Sequence, residues 1–472
     1  MDSSSPAAPP AAARLKFLDA ALYGIVMNIG LRWLAVAAAV GPAALPLWLV
    51  SLFVFFLPLA VATAELTTRI EAEGGIYAWA REAFGPLAGF LCGWFYWFSL
   101  MPFFASILYF LAGLITAAIG AGTQSGPLYL AISLALAFLV IGVQLLGFHY
   151  GKWLTNLGAA GNWFAFLVIV AIAVFLGLHG HSATQFAHAS YLPKMNFDTA
   201  ILWSTMVFAI AGVESIAFLR NDIEGGMRTI LRVLMIVGVS MVLIYIAGTV
   251  AMLIVLPQSE LTRLAGFPDV LKSGLGRVGL PSLGPWTVAA FALASMGAFV
   301  AWFGVGARLP FAAGIDHFLP PLFARRNPKT GAPTAAILLQ GALMLTFVVL
   351  SQAGESVGGA YDFLVSMSVL TVTIPYVFLF AVYLKFSRGA PVPGAWRPPG
   401  GARTSIVLAV IGLISTLIAI VCTLIPNGSD AHPLATFLKM VLSTAVMLAV
   451  GLTLYWLADR RRKSVQMAAP SS

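Results

Sequence analysis

The stretch LWSTMVFAIAGVESIAFL, residues 202–219, places a carboxylate inside an apolar segment that is long enough to cross a membrane. This carboxylate belongs to Glu214, which follows Gly212 by two positions. An ionisable side chain at membrane depth costs about 3 kcal/mol or more, so it usually lines a polar path or meets a partner. Two interpretations of Glu214 are therefore open: a functional group that faces a cavity, or a structural carboxylate tied to a neighbouring helix.

The composition is that of a membrane protein. The chain of 472 residues is 60% hydrophobic and 9% charged, whereas soluble domains carry about 25% charged residues. Apolar runs of about 20 residues, the length needed to cross a bilayer core, recur twelve times. We expect an all-α integral membrane protein with 12 transmembrane helices, the first being a span rather than a cleaved signal peptide. The runs cover residues 17–40, 43–66, 85–117, 126–146, 153–178, 199–219, 230–256, 284–307, 333–351, 361–384, 404–425 and 434–457.

The positive charges predict the orientation. Of the 26 Lys and Arg residues, twenty lie in or beside one alternate set of loops and five in or beside the other, with Arg32 inside a span. The positive-inside rule places both termini in the cytoplasm of a multi-pass protein of the cell membrane. The net charge of +9 therefore reflects membrane topology and lipid contact rather than nucleic acid. The terminal cluster 460–463 is interpreted as a topology anchor.

Cysteine and histidine give no sign of a cofactor. Cys92 and Cys422 both lie in apolar spans, and the six histidines are scattered without metal-ligand spacing. We expect no disulfide framework, no metal and no cofactor. No soluble domain fits between the spans, so the function is expected inside the helix bundle.

Two spans contain residues that indicate a break in the helix. The first has Asn28, Gly30 and Arg32 at mid-depth, and the sixth has Gly212 beside Glu214. They are five spans apart, as in an inverted repeat, and paired broken helices indicate a transporter's binding site. A break exposes N–H groups on one side and carbonyls on the other, which suits an amino acid zwitterion. The alternative is that the glycines only allow close helix packing.

Four sequence motifs carry a resemblance to the amino acid, polyamine and organocation (APC) transporter superfamily. Each motif is similar to one of the family, and the four occur in the same order along the chain. In the sixth span the pattern is Phe-Ala-x-x-Gly-x-Glu. The motifs are AELTTR with EGGIYAW (residues 64–69 and 73–79), FGPLAGF (84–90), FAIAGVE (208–214), and ARLPFAAGIDHFLP followed by GAP (307–320 and 331–333).

The resemblance implies a LeuT-like 5+5 inverted repeat with discontinuous helices 1 and 6 and two appended C-terminal helices. In this organisation residues 15–387 form the transport core and 404–457 the last two helices. Residues 388–403 are a cytoplasmic linker, 1–14 a disordered tail and 458–472 a basic tail. Some relatives form dimers, so a homodimer is one option.

The resemblance also implies the site residues. Backbone N–H groups of Leu31 and Arg32, after Ile29 and Gly30, bind a substrate carboxylate. The substrate amine meets carbonyls of Asn28, Phe208 and Ala211, beside Gly212. Phe208 and Trp302 are aromatic gates, while Tyr96 and Glu214 match an outer-gate pair associated with proton sensitivity.

The chain departs from the family pattern at two positions. Arg32 stands where a second glycine is usual, and Asn162 stands near the place where a proton-coupled relative has lysine. Arg32 has three interpretations: an ion pair with Glu214, a contact to a substrate carboxylate, or a solvated position in an outer vestibule. The first two disfavour a cationic substrate, because a guanidinium stays charged at physiological pH.

We therefore predict a secondary active transporter for a neutral or acidic amino acid, with protonation of Glu214 as a hypothesis for pH-dependent transport. A cationic amino acid or polyamine transporter of the same fold is the alternative. A channel is the rival from another class, although the chain has no repeated filter-like segment. An enzyme is not expected, since Glu65, Glu214 and Asp362 lie on different spans. Exchange, proton symport and sodium coupling all remain open.

Overall fold

The computed structural model describes residues 16–70, 74–121, 125–146, 148–215, 225–312, 315, 318–324, 327, 330–352, 355–390, 392–426 and 432–468. All regular secondary structure in these ranges is helical, as the composition predicts. The predicted tail 1–14 and the second half of the sixth span, from residue 216, lie outside them. The helices are α1 (Phe17–Asn28), α2 (Arg32–Ala38), α3 (Ala44–Ser51), α4 (Leu57–Arg69), α5 (Ile76–Phe84), α6 (Pro86–Phe98), α7 (Leu100–Ala118), α8 (Gly126–Leu146), α9 (Phe148–Leu178), α10 (Phe197–Ala209), α11 (Gly226–Val255), α12 (Gly266–Arg277), α13 (Gly284–Ala312), α14 (Thr334–Gln352), α15 (Val357–Ser387), α16 (Gly401–Leu424) and α17 (Pro433–Ala468).

Eleven helical stretches in the described part of the chain are long and apolar enough to cross a membrane. They coincide with the second to the twelfth predicted spans. The predicted first span, 17–40, is divided into α1 and α2, and each piece is too short to cross alone. The chain is therefore a multi-pass helical membrane protein.

Several spans are built from two helices. A π-helical segment, Leu52–Phe56, joins α3 to α4, and Ser99 joins α6 to α7. Wider π turns inside a helix bend it locally. The hydropathy pattern gives no sign of this segment, because every residue in it is apolar.

Two further helices, α5 and α12, were not predicted, because they are short and amphipathic. Helix α5 buries Ile76 and Trp79 and exposes Arg81 on its other face. Helix α12 buries Phe267 and Leu271 and packs against α13, α9 and α2. A search for long apolar runs cannot find such helices, since their polar faces interrupt the runs.

The packing places the two predicted breaks at the centre of the bundle. Helix α1 packs on α11, and α2 packs on both α11 and α10. Helix α13 packs extensively on α9 and α7, and α15 on α16 and α7. Helix α11 thus packs beside both pieces of the first span, and α15 packs against α10.

A buried carboxylate holds one end of the bundle together. Glu65 on α4 accepts hydrogen bonds from the hydroxyls of Tyr383 at 3.0 Å and Ser405 at 2.7 Å. It also pairs with Arg397 Nε at 3.1 Å. Arg397, in the predicted linker 388–403, is therefore attached to α4.

Candidate functional site

The first span is interrupted at the predicted position. Helix α1 ends at Asn28, Ile29 is extended with φ −93° and ψ 113°, and α2 begins at Arg32. The side-chain amide Nδ2 of Asn28 donates to the carbonyl of Gly24 at 2.8 Å, which attaches this side chain to the last turn of α1. A Cβ atom on Gly30 would lie 2.7 Å from Nε1 of Trp33, so the break needs a glycine here.

The sixth span is interrupted as well. Helix α10 ends at Ala209, and the backbone stays irregular through Gly212 before a 3₁₀ turn at 213–215. Gly212 has φ +107°, a conformation that side-chain-bearing residues rarely adopt. A Cβ atom there would also lie 2.6 Å from Oδ1 of Asn28, so the two breaks are in direct contact.

One tyrosine of α11 joins the two breaks. The hydroxyl of Tyr245 accepts the backbone N–H of Gly30 at 3.2 Å and donates to the carbonyl of Ala209 at 3.0 Å. It also lies 3.5 Å from the carbonyl of Asn28. Its ring is fully buried and stacks on Trp48 with centroids 4.6 Å apart. The N–H of Gly30 and the carbonyl of Ala209, which lack helical partners at the breaks, are thus hydrogen-bonded inside the bundle.

Glu214 is completely buried and receives three hydrogen bonds. Oε1 accepts from the hydroxyls of Tyr96 at 2.9 Å and Tyr376 at 2.8 Å, and Oε2 accepts from the N–H of Gly212 at 3.1 Å. The predicted partner Tyr96 is therefore in place, while Tyr376 was not predicted. The carboxylate links the sixth-span break to α6 and α15.

Arg32 does not pair with Glu214. Among the described residues no ion pair involves its guanidinium, which donates from Nη1 to Ser106 Oγ at 2.9 Å. The ion-pair interpretation is wrong for this structure, because hydroxyls and a backbone N–H already serve the carboxylate. The solvated-vestibule interpretation is also wrong, since Arg32 is only 5% exposed. The contact to a substrate carboxylate remains a prediction.

Two adjoining cavities lie at the breaks. The larger has a volume of about 310 Å³ and the smaller about 140 Å³. Both are lined by Asn28, Trp33, Phe103 and Trp302, so they meet at these side chains. The larger volume is at the lower end of the range of small-molecule sites.

Every predicted site residue lines one of the two cavities. Asn28, Tyr96, Phe208, Ala211, Gly212, Glu214 and Trp302 line the larger cavity. Asn28, Ile29, Gly30, Leu31, Arg32 and Trp302 line the smaller one.

Aromatic side chains form much of the wall between the two cavities. Phe208 meets Trp33 edge to face with centroids 5.4 Å apart, and it meets Phe103 at 5.8 Å. Phe103 also contacts Trp302 at 6.3 Å. Trp33 and Phe103 were not predicted, because an aromatic residue in an apolar helix carries no sign of the direction it faces.

Asn162 lines the smaller cavity, at the place where a lysine is found in a proton-coupled relative. Its Oδ1 lies 3.4 Å from the hydroxyl of Ser295 on α13. In the part of the chain that the structure describes, no three His, Cys, Asp or Glu residues are grouped so that they could hold a metal ion. The polar groups of the site are therefore amide, hydroxyl, carboxylate and guanidinium, with a few backbone groups.

This architecture, with many membrane-length helices around a cavity at two interrupted helices, is that of multi-pass membrane transport proteins. The family model described as amino acid permease matches residues 15–450. The chain belongs to the amino acid permease family of the APC superfamily, which confirms the resemblance. Membership indicates a transporter rather than an enzyme.

Two curated relatives cover most of the chain. An "Uncharacterized transporter" of Legionella pneumophila is 24% identical over 416 residues, which are 87% of this chain and 89% of that protein. A "Probable agmatine/putrescine antiporter" of Lactococcus lactis is 24% identical over 444 residues, which are 93% of each chain. The similarity therefore extends over the whole helix bundle rather than over one motif.

Proposed function

We propose that this protein is a secondary active transporter that moves an amino acid across the cell membrane by alternating access. The observation that carries the proposal is the meeting of the two helix breaks at one cavity, where Tyr245 bonds to both. Family membership and the curated relatives support the transporter class. In this proposal residues 15–387 form a 5+5 inverted-repeat core, α16 and α17 are appended, and both termini are cytoplasmic.

The two breaks provide the means for movement as well as binding. A helix that is already interrupted can tilt one half without breaking further hydrogen bonds within the helix itself. Phe208 would cover a bound substrate, because it lies against Trp33 beside the larger cavity. Glu214 would sense protons because protonation adds a donor to a carboxyl whose three partners, Tyr96, Tyr376 and the N–H of Gly212, all donate to it, so this set of hydrogen bonds would rearrange.

Arg32 supports a neutral or acidic amino acid as substrate, by exchange or proton symport. A permanent positive charge that lines the smaller cavity repels cations. The second candidate is an amine or polyamine transporter of the same fold. Two observations favour it: the Lactococcus lactis relative is named as a probable agmatine/putrescine antiporter, and a buried carboxylate, Glu214, lines the larger cavity.

Counterflow in proteoliposomes tests the proposal. Liposomes loaded with an unlabelled amino acid should accumulate the same labelled compound transiently and saturably. Imposed pH and sodium gradients then separate exchange from symport. A non-saturating flux without counterflow would indicate a channel instead.

A further inference from the structure

Two glutamines from different helices hydrogen-bond to the backbone of α13. Nε2 of Gln144 on α8 donates to the carbonyl of Val300 at 2.6 Å. Nε2 of Gln340 on α14 donates to the carbonyl of Phe303 at 2.8 Å. Trp302, which lines both cavities, lies between these two carbonyls in the chain. The two amides therefore act on the turn of α13 that presents this indole to the cavities.

A tryptophan replaces a missing hydrogen bond in the next turn of α13. Pro310 has no N–H, so the carbonyl of Gly306 lacks its usual helical donor. Nε1 of Trp97 on α6 donates to this carbonyl at 3.1 Å. The part of α13 around and beyond Trp302 is thus held by side chains of α6, α8 and α14.

The same part of α13 contains residues that weaken a helix. Gly304, Gly306 and Pro310 lie close together, and helices kink mainly at such residues. The glycines also make room for the amides. A Cβ atom on Gly304 would lie 2.9 Å from Nε2 of Gln144. One on Gly306 would lie 2.8 Å from Oε1 of Gln340. The glycines that make the helix easier to bend are therefore the ones that admit the side chains holding it.

Gln340 costs free energy where it is. Its side chain is fully buried, and in the part of the chain that the structure describes Oε1 receives no hydrogen bond. A buried oxygen without a donor destabilises a fold, and leucine, which has a similar size, would avoid this cost. The carbonyl of Phe303 belongs to a continuous helix and has a helical donor in addition to Gln340. The amide therefore fixes the position of α13 more than it stabilises the fold.

We propose that Gln144 and Gln340 are positioning residues for Trp302, and that through this indole they determine how tightly the transported substrate is bound. Neither glutamine lines a cavity, so neither touches the substrate. They hold the indole at the junction of the two cavities, where it meets Phe103 with centroids 6.3 Å apart. A wall that is already ordered loses less freedom on binding, which favours affinity. This inference rests on the proposed function and adds residues to the same site.

Counterflow kinetics of single variants test the positioning role. A screen of the purified wild type with the standard amino acids and agmatine selects the labelled compound for all variants. Gln340→Leu and Gln144→Leu should each raise KM about threefold to tenfold, the effect of one lost hydrogen bond, while the maximal rate changes little. Gln340→Leu should keep the wild-type unfolding temperature or raise it, because it removes the unsatisfied oxygen.

A double-mutant cycle with Trp302→Leu separates positioning from a general structural effect. If Gln340 acts through the indole, Gln340→Leu should hardly change KM once the indole is absent. A general structural effect would instead multiply the two changes in KM. If Trp302→Leu supports no measurable counterflow, the comparison of KM with maximal rate in the single variants decides.

Gln352→Leu is the matched control. Gln352 also lies on α14 and accepts a hydrogen bond from Tyr109 at 2.8 Å, but it lies outside both cavities, so its variant should keep the wild-type KM. If Gln340→Leu does not fold, Gln144→Leu decides, since Gln144 is only partly buried.

The outcomes separate the two proposals. A wild-type KM in both folded glutamine variants, a change in maximal rate alone, or multiplied effects in the cycle would overturn the positioning role while the transporter function stands. If the wild type supports counterflow of no compound in the screen, the proposed function fails and the inference fails with it.

Discussion

Tyr245 accepts a hydrogen bond from the backbone N–H of Gly30 at 3.2 Å, and the same hydroxyl donates to the carbonyl of Ala209. One side chain thus connects the interrupted first span to the end of α10. Both backbone groups lose their helical partners at the breaks and find a replacement in this side chain. The relative position of the two breaks therefore depends on a residue of a third helix.

Tyr245→Phe should destabilise the folded protein by about 1–3 kcal/mol, because it leaves a buried donor and a buried acceptor without partners. The stacking on Trp48 is retained, so the effect reports the hydroxyl. Denaturation of the purified protein in detergent measures it. Tyr191→Phe is the matched control, since the Tyr191 hydroxyl bonds to the carbonyl of Phe186 on an exposed loop. Equal stability of the two variants would show that Tyr245 does not hold the breaks together.

Gly212→Ala should destabilise the protein by about 1–3 kcal/mol and impair substrate binding, because φ +107° strains any residue with a Cβ atom. The added methyl group would also press on Asn28 across the junction of the breaks. Gly177→Ala on α9 is the control, as a Cβ atom there meets nothing within 4 Å and φ is ordinary for a helix. Wild-type binding by Gly212→Ala would mean that the break is not required.

Glu214→Gln should flatten the pH profile of uptake. Glutamine cannot gain or lose a proton, so any bias that protonation imposes on Tyr96 and Tyr376 disappears. Uptake into proteoliposomes over a range of external pH measures this. Glu65→Gln serves as the control, because Glu65 is an equally buried carboxylate outside both cavities. A pH profile unchanged in Glu214→Gln would remove the proton-sensing hypothesis.

Phe208→Leu should raise the KM of counterflow roughly threefold to tenfold, through loss of aromatic contacts worth about 0.5–1.5 kcal/mol each. Leucine keeps most of the apolar volume, so folding is preserved. The matched variant Phe138→Leu changes a side chain that is 63% exposed on the outer face of α8, and its KM should not change. If both variants behave like the wild type, Phe208 does not cover the substrate.

The breaks could be predicted because their causes are local. A glycine near an ionisable residue within a membrane-length apolar run can be recognised from the sequence alone. Both breaks lie where Gly30 and Gly212 indicate. Helix positions followed from the lengths of the apolar runs in the same way. These parts of the fold depend on the residues themselves rather than on their neighbours.

The partners could not be predicted, since they depend on which face of each helix turns inward. Tyr245 and Tyr376 lie in apolar helices, and nothing in the sequence distinguishes them from lipid-facing tyrosines. The Arg32–Glu214 ion pair, one of the three interpretations of Arg32, is wrong for the same reason. Opposite charges suggest an ion pair, but the carboxylate of Glu214 instead accepts hydrogen bonds from Tyr96, Tyr376 and a backbone N–H.

Alternating access requires that the larger cavity be exposed in turn to the two sides of the membrane. Ser99 allows a direct test of this exposure. Ser99 lines this cavity and is 4% exposed. The native Cys92 and Cys422 are both buried and can be replaced by alanine. A Ser99→Cys protein would then be treated with a membrane-impermeant thiol reagent in right-side-out and inside-out vesicles. We predict labelling from both faces, with a bound substrate decreasing the rate on at least one of them. Labelling from one face only, at a rate that no substrate changes, would contradict alternating access.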